Sequence, residues 1–179
     1  AARSQEKAAQ AEANGWFDWE RFKLPELSID EGIRAGTTAE KLAELKPAFK
    51  EDGMVTAGNS STLSDGASAI LVADANFATE QGWEIIAYIE DYCTSGVEPK
   101  RVMYAPVPAI NTLLERAGMD VLEIDIYEHN EAFASASCAV AKEVGIPDDR
   151  FNLHGGAVAL GHPLGSSGTR CLITMLGIM

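Results

Sequence analysis

Asn152-Leu-His-Gly-Gly-Ala-Val-Ala-Leu-Gly-His-Pro-Leu-Gly-Ser-Ser-Gly168 is the stretch that decides how this chain is read. It sets His162 in a glycine-rich loop that opens onto a helix. Gly155, Gly156, Gly161, Gly165 and Gly168 allow left-handed backbone and the close approach of a ligand or another segment, at an entropic cost that a plain connection does not need. Pro163 fixes its own φ and biases His162 toward extended backbone, which places the imidazole at the lip of the following helix. Tight strand-to-helix packing is the other reading of Gly155 and Gly156, but it leaves the titratable side chain at 162 unexplained.

Two phosphate-binding readings of the loop fail on spacing. A P-loop needs Lys and then Ser or Thr after its last glycine, whereas Gly168 is followed by Thr169 and Arg170. The dinucleotide fingerprint needs Gly-x-Gly-x-x-Gly, and Pro163 stands where its first glycine belongs. The sequence indicates no permanently bound cofactor and no metal site.

Three other stretches accompany the histidine loop: Val55-Thr-Ala-Gly-Asn-Ser-Ser61, Ala105-Pro-Val-Pro-Ala109 and Asn130-Glu-Ala-Phe-Ala134. In this order and spacing they resemble the thiolase family, from about Arg3 to Met179. The resemblance implies a partial thiolase-like α/β fold in three unequal parts. Residues 1–52 are expected to be the end of the loop domain that covers coenzyme A, and residues 53–82 the last part of the N-terminal domain. Residues 83–179 are expected to be a βαβαβα C-terminal domain, incomplete at its end.

The pattern along the chain is compatible with that division. A modest helix over residues 1–14 is closed by Asn14-Gly15, and Thr37 or Thr38 caps another helix start. Ala67–Ala73 has the apolar composition of a strand covered on both faces, and Asp74 caps a helix running to Gly82. Strands over 84–92, 124–128 and 151–154 are then predicted to alternate with helices over 107–117, 130–144 and 164–179. Phe133, Ala136, Val140 and Val144 follow helical spacing and form core.

The chemistry implied by the resemblance is Claisen condensation of acetyl-CoA, or thiolytic cleavage of a 3-ketoacyl-CoA, with CoA and acyl-CoA as substrates. Acyl transfer through a thioester needs a thiolate, a base to generate it, and donors aimed at the oxygen where charge develops. In the family the residue matching His162 is that base, and the one matching Asn130 holds a water in the oxyanion site. On its own Asn130 also reads as a helix N-cap. The resemblance further implies CoA contacts from Arg34, Ala57, Ser60, Ser61, Leu63 and Phe133; without it, Arg34 reads as a solvated loop arginine.

The family's two catalytic cysteines have no match in this sequence, so these 179 residues alone are expected to be inactive. Cys93, Cys138 and Cys171 read as buried, inert thiols, which disfavours an independent Cys-His hydrolase. A non-catalytic thiolase-like protein that binds CoA or a partner is the alternative. His129, ahead of Asn130, could add a pH-dependent charge near the oxyanion site, and Val102-Met-Tyr104 departs from the family's segment against the acyl group.

Composition bounds the remaining classes. A net charge of −13 speaks against nucleic-acid or anionic-membrane surfaces. No apolar run spans a bilayer, the N-terminal segment is unlike a secretory signal, and three unevenly spaced cysteines fit a reducing compartment, with the cytoplasm as the default. A homodimer or homotetramer is the expected assembly of the family.

Overall fold

A computed structural model describes all 179 residues. Seven helices form where the sequence supplies their ends. The first, α1 (Ala2–Ala13), stops at Asn14. Thr38 opens α2 (Ala39–Ala43) by accepting the Lys41 amide hydrogen, and the Asp74 carboxylate opens α3 (Ala75–Glu80) by accepting those of Asn76 and Phe77. Pro106 sits in the first turn of α4 (Pro106–Ala117). The remaining helices are α5 (Ala134–Val144), α6 (Ala157–Leu160) and α7 (Ser167–Ile178).

Two helices start later than the sequence predicts. Residues 130–133 pair with the 59–61 loop instead: Ser61 N–H donates to the Ala132 carbonyl and Ala134 N–H to that of Asn59, each at 2.9 Å. Glu131, at φ 61, breaks the helical path. The cap of α5 is therefore Phe133, and Asn130 is not an N-cap. Ahead of α7, the amides of Ser166 and Ser167 donate to the Pro163 carbonyl at 2.8 and 3.0 Å, a turn that delays the helix.

The segments read as strands form no ladder within this chain. One parallel bridge, Tyr127 with Phe151, joins 124–128 to 151–154. Its bonds run from Tyr127 N–H to the Arg150 carbonyl at 2.7 Å and from Asn152 N–H to the Tyr127 carbonyl at 2.8 Å. A strand requires a partner for its backbone groups, and no segment of the chain bridges to 67–73 or 84–92. Ile70, Leu71, Val72, Ile86, Tyr88 and Ile89 are consequently exposed, as expected of strands whose neighbours are not in this chain.

The best-packed region lies around α1, α5, α6 and the glycine loop. Ala8 and Ala11 on α1 are fully buried, and α1 packs on α6. Gly155 makes the approach possible: at φ +83, a Cβ there would lie 2.6 Å from the Ser4 carbonyl oxygen and 2.9 Å from the Ala8 Cβ. On the far side α4 packs against α5, where Ala136 and Val140 are buried as expected while Val144 is half-buried. Cys138 on α5 is exposed and Cys93 and Cys171 half-buried, which corrects the reading of all three as buried; Cys138 lies on the helix face away from Val140.

Beside α7 the interior is polar. Both oxygens of Glu128, Oε2 of Glu20, Nη1 of Arg170 and Oγ1 of Thr174 are shielded from solvent without a hydrogen-bond partner in the protein. Burial pushes the Glu20 and Glu128 carboxyls up to about 7, against a partial downward pull from Arg170. A carboxyl whose folded value is raised favours folding below its ordinary value and loses that contribution as pH rises through the folded one.

Thermal stability of the protein carrying this chain is therefore expected to fall as pH rises from about 4.5 to about 7, and Glu128→Gln should flatten that slope. Differential scanning calorimetry across the window checks it. The unpaired 67–73 and 84–92 segments make a second expectation: the 179 residues on their own should self-associate. Analytical ultracentrifugation would contradict this by showing a monodisperse monomer, as would hydrogen exchange by showing slow exchange across Ile70–Val72.

Candidate functional site

The 127–151 crossing brings Asn130 beside the glycine loop, where the Ala157 amide donates to the Asn130 carbonyl at 3.0 Å. Across the loop, His162 N–H reaches the Thr62 carbonyl at 3.4 Å. Gly161 permits this at φ +84, since a Cβ there would collide with the Ser64 side chain. His162 and Asn130, 32 positions apart in sequence, thus face each other: Asn130 Nδ2 lies 3.3 Å from Nδ1 and 3.2 Å from Nε2 of His162.

Donor and acceptor capacities allow this network two directions. Ser167 Oγ, at the start of α7, lies 3.0 Å from the Pro163 carbonyl and 2.6 Å from His162 Nδ1. With its proton on the Pro163 carbonyl, the hydroxyl accepts from Nδ1–H; with its proton toward Nδ1, it donates there instead. In the first arrangement the lone pair of His162 is on Nε2, where the Asn130 amide donates. That is the tautomer a proton acceptor needs. Ser167 was not singled out by sequence; its position five residues after His162, in the first turn of the following helix, was the available signal.

His129 does not act as expected. Glu131 N–H donates to its Nδ1 at 3.2 Å, Ser137 Oγ lies 2.8 Å from the same atom, and Phe151 stacks on the ring at 5.9 Å. Burial pushes its pKa down. The residue is therefore a neutral part of the scaffold, and its backbone N–H donates to Asn152 Oδ1 at 2.7 Å. The third histidine, His154, is buried, stacks on Trp16 at 4.9 Å and is likewise pushed down by burial.

The residues expected to meet CoA are only partly gathered. Ser60 bridges Phe133 and its hydroxyl donates to the Thr56 carbonyl at 2.8 Å, while Ser61 is tied to Ala132. Phe133 lies edge-on to Phe49 at 6.1 Å, and both line an open cavity of about 520 Å³ with Val55, Val102, Met103 and Tyr104. Ala57 is exposed and Leu63 fully so. Arg34 is exposed as well; its backbone is held through Gln5, whose Oε1 accepts the Arg34 amide at 2.6 Å and whose Nε2 donates to the Val158 carbonyl at 3.1 Å.

Nothing in this arrangement supplies a thiolate or a metal. Burial pushes the Cys171 thiol up, away from reactivity. No cluster of three or more His, Cys, Asp and Glu side chains could hold a metal ion, and no helix is long and apolar enough to cross a membrane.

Comparison with known proteins identifies the family. Residues 1–76 match the family profile of the thiolase N-terminal domain and residues 83–179 that of the thiolase C-terminal domain. A probable acetyl-CoA acyltransferase of Staphylococcus epidermidis is 46% identical over 97% of this chain and 46% of its own length. Among solved structures, human mitochondrial 3-ketoacyl-CoA thiolase in complex with CoA superposes with a TM-score of 0.95 at 37% identity, covering 99% of this chain and 46% of that one. The dimeric peroxisomal thiolase of Saccharomyces cerevisiae gives 0.94 at 41% identity, covering 99% and 47%. The chain spans about half the length of the relatives it matches. With both domain profiles matched in order and the backbone following these structures almost throughout, this chain has a thiolase-like fold and belongs to the thiolase family.

Proposed function

We propose that the protein carrying this chain is a thiolase that interconverts acetyl-CoA and 3-ketoacyl-CoA, with His162 as the base and Asn130 in the oxyanion site. One observation carries the reading: the Asn130–His162–Ser167 network sets an uncharged amide 3.2 Å from His162 Nε2 and a hydroxyl 2.6 Å from Nδ1, so that with Nδ1–H on the hydroxyl the lone pair is on Nε2. A thiol that takes the place of the Asn130 amide at Nε2 gives up its proton to that lone pair; the resulting thiolate attacks the thioester carbonyl and expels the CoA thiolate, which recovers the proton from the imidazolium. The new positive charge is stabilised through Nδ1–H on Ser167. In the condensation half-reaction, the Asn130 side chain positions a water toward the oxygen that gains charge, without adding a charge of its own.

The attacking thiol is the first of the family's two catalytic cysteines and the second serves as an acid/base; neither motif occurs among these residues. Residues 1–52 act as the end of the CoA-covering loop domain, 53–82 as the end of the N-terminal domain, and 83–179 as C-terminal domain. Arg34, Ala57, Ser60, Ser61 and Leu63 lie along the path of CoA, and Phe133 flanks its pantetheine arm. Val102, Met103 and Tyr104, in the wall of the cavity beside Phe133, meet the acyl group. The assembly is a homodimer or homotetramer, the setting is the cytoplasm, and the metabolic role lies in fatty-acid metabolism. The relatives named acetyl-CoA acyltransferase and the CoA complex of the human enzyme support this reading.

Rapid-quench kinetics on the protein carrying this chain test it. His162→Ala is expected to slow acylation by about two to four orders of magnitude, the range for a positioned general base. Asn130→Ala should impair condensation far more than acylation, and both variants should still bind CoA. Unchanged turnover in His162→Ala, or CoA binding with no turnover in the wild type, would refute the catalytic assignment; the second result would instead support a CoA-binding protein.

A further inference from the structure

Behind Asn130 lies a charge cluster that the reading above leaves unused. Arg170, on α7 one turn beyond Ser167, places Nη2 3.5 Å from Asn130 Oδ1, at the outer limit of a hydrogen bond. Its other terminal nitrogen, Nη1, is buried without a partner, and so are both oxygens of Glu128 and Oε2 of Glu20. Arg21, the neighbouring cation, is already committed to Glu12 at 2.6 Å, with Asp18 and Asp30 at 3.3 and 3.7 Å. Burial pushes both carboxyls up, and the charge of Arg170 offsets part of that push in each.

An asparagine amide has two orientations related by a half-turn, and they have opposite consequences here. A guanidinium has only donors, so it selects the orientation with Oδ1 toward α7 and Nδ2 toward His162. In the reversed orientation, Oδ1 would face Nε2 and favour the tautomer protonated there. That tautomer has its lone pair on Nδ1, against Ser167, and none on Nε2 with which to take a proton from a thiol.

We propose that Arg170 is a positioning residue that locks the Asn130 amide and thereby the tautomer of His162. This rests on the catalytic reading of His162 and Asn130. It assigns a use to a half-buried guanidinium with one shielded, unpartnered nitrogen and no ion pair within 4 Å.

The test uses the protein that carries this chain. In Arg170→Met, kcat for both half-reactions should fall about tenfold or more, as expected for one lost hydrogen bond to a charged group, with KM for acetyl-CoA little changed. ¹⁵N NMR of the imidazole should show His162 moving from Nδ1–H toward Nε2–H, and the double variant with Asn130→Ala should be no slower than Asn130→Ala alone. Wild-type kcat, an unchanged tautomer, or additive losses in the double variant would overturn the proposal. If Arg170→Met fails to fold, Arg170→Lys decides it, because it keeps the charge while drawing the donor back from Oδ1. A several-fold lower kcat with a mixed tautomer is then expected, and wild-type values for both would refute the idea. Failure of the catalytic reading itself would appear separately, as full activity in His162→Ala and Asn130→Ala.

Discussion

Glu131 stands where the chain leaves its pairing with the 59–61 loop and turns into α5, and it makes that turn at φ 61, a conformation costly for any residue with a Cβ. Strain of this kind amounts to about 1–3 kcal/mol and persists only where surrounding contacts impose it. Here they are specific. Ser4 on α1 donates to the buried Glu131 carboxylate, and the same hydroxyl accepts the Gly156 amide hydrogen at 3.0 Å. Glu131 also fills the space into which a Cβ on Gly156 would project. One side chain thus ties α1, the turn and the glycine loop together, and the turn sends the Asn130 amide toward His162.

Held this way, the site is neutral and directional. His129 is kept uncharged by burial and by accepting the Glu131 amide hydrogen, so it supports the turn without adding charge beside Asn130. On the proposed reading the bonds run in one sense from Asn130 through His162 and Ser167 to the Pro163 carbonyl. The direction of the hydroxyl at the start of α7 then sets which imidazole nitrogen carries the lone pair.

Much of this was legible in the sequence, and the failures share a cause. The caps at Thr38 and Asp74 and the stop at Asn14 were readable because capping is local chemistry. The pairing of His162 with Asn130 was readable only through the resemblance, since nothing in the spacing of two residues 32 apart dictates contact. The start of α5 was misplaced because Ala132 and Ala134 have high helix propensity, and the pairing with Asn59 and Ser61 that overrides it is long-range. The strands were legible as composition but not as a sheet. A ladder is a property of two segments, and 67–73 and 84–92 find no second segment in this chain.

The charge distribution around the site follows from the same geometry. On the proposed reading the site must stabilise a developing negative oxygen, yet the chain carries a net charge of −13 and buries Glu20 and Glu128 near Arg170. The field of buried carboxylates opposes such a charge. Arg170 lies next to Asn130 and is felt by both carboxyls, so its positive charge opposes that field where the oxyanion would form. Burial opposes it too, because carboxyls pushed up to about 7 are partly protonated at neutral pH. The acidic groups can therefore stand behind a neutral Asn–His pair without cancelling the stabilisation that the pair is placed to provide.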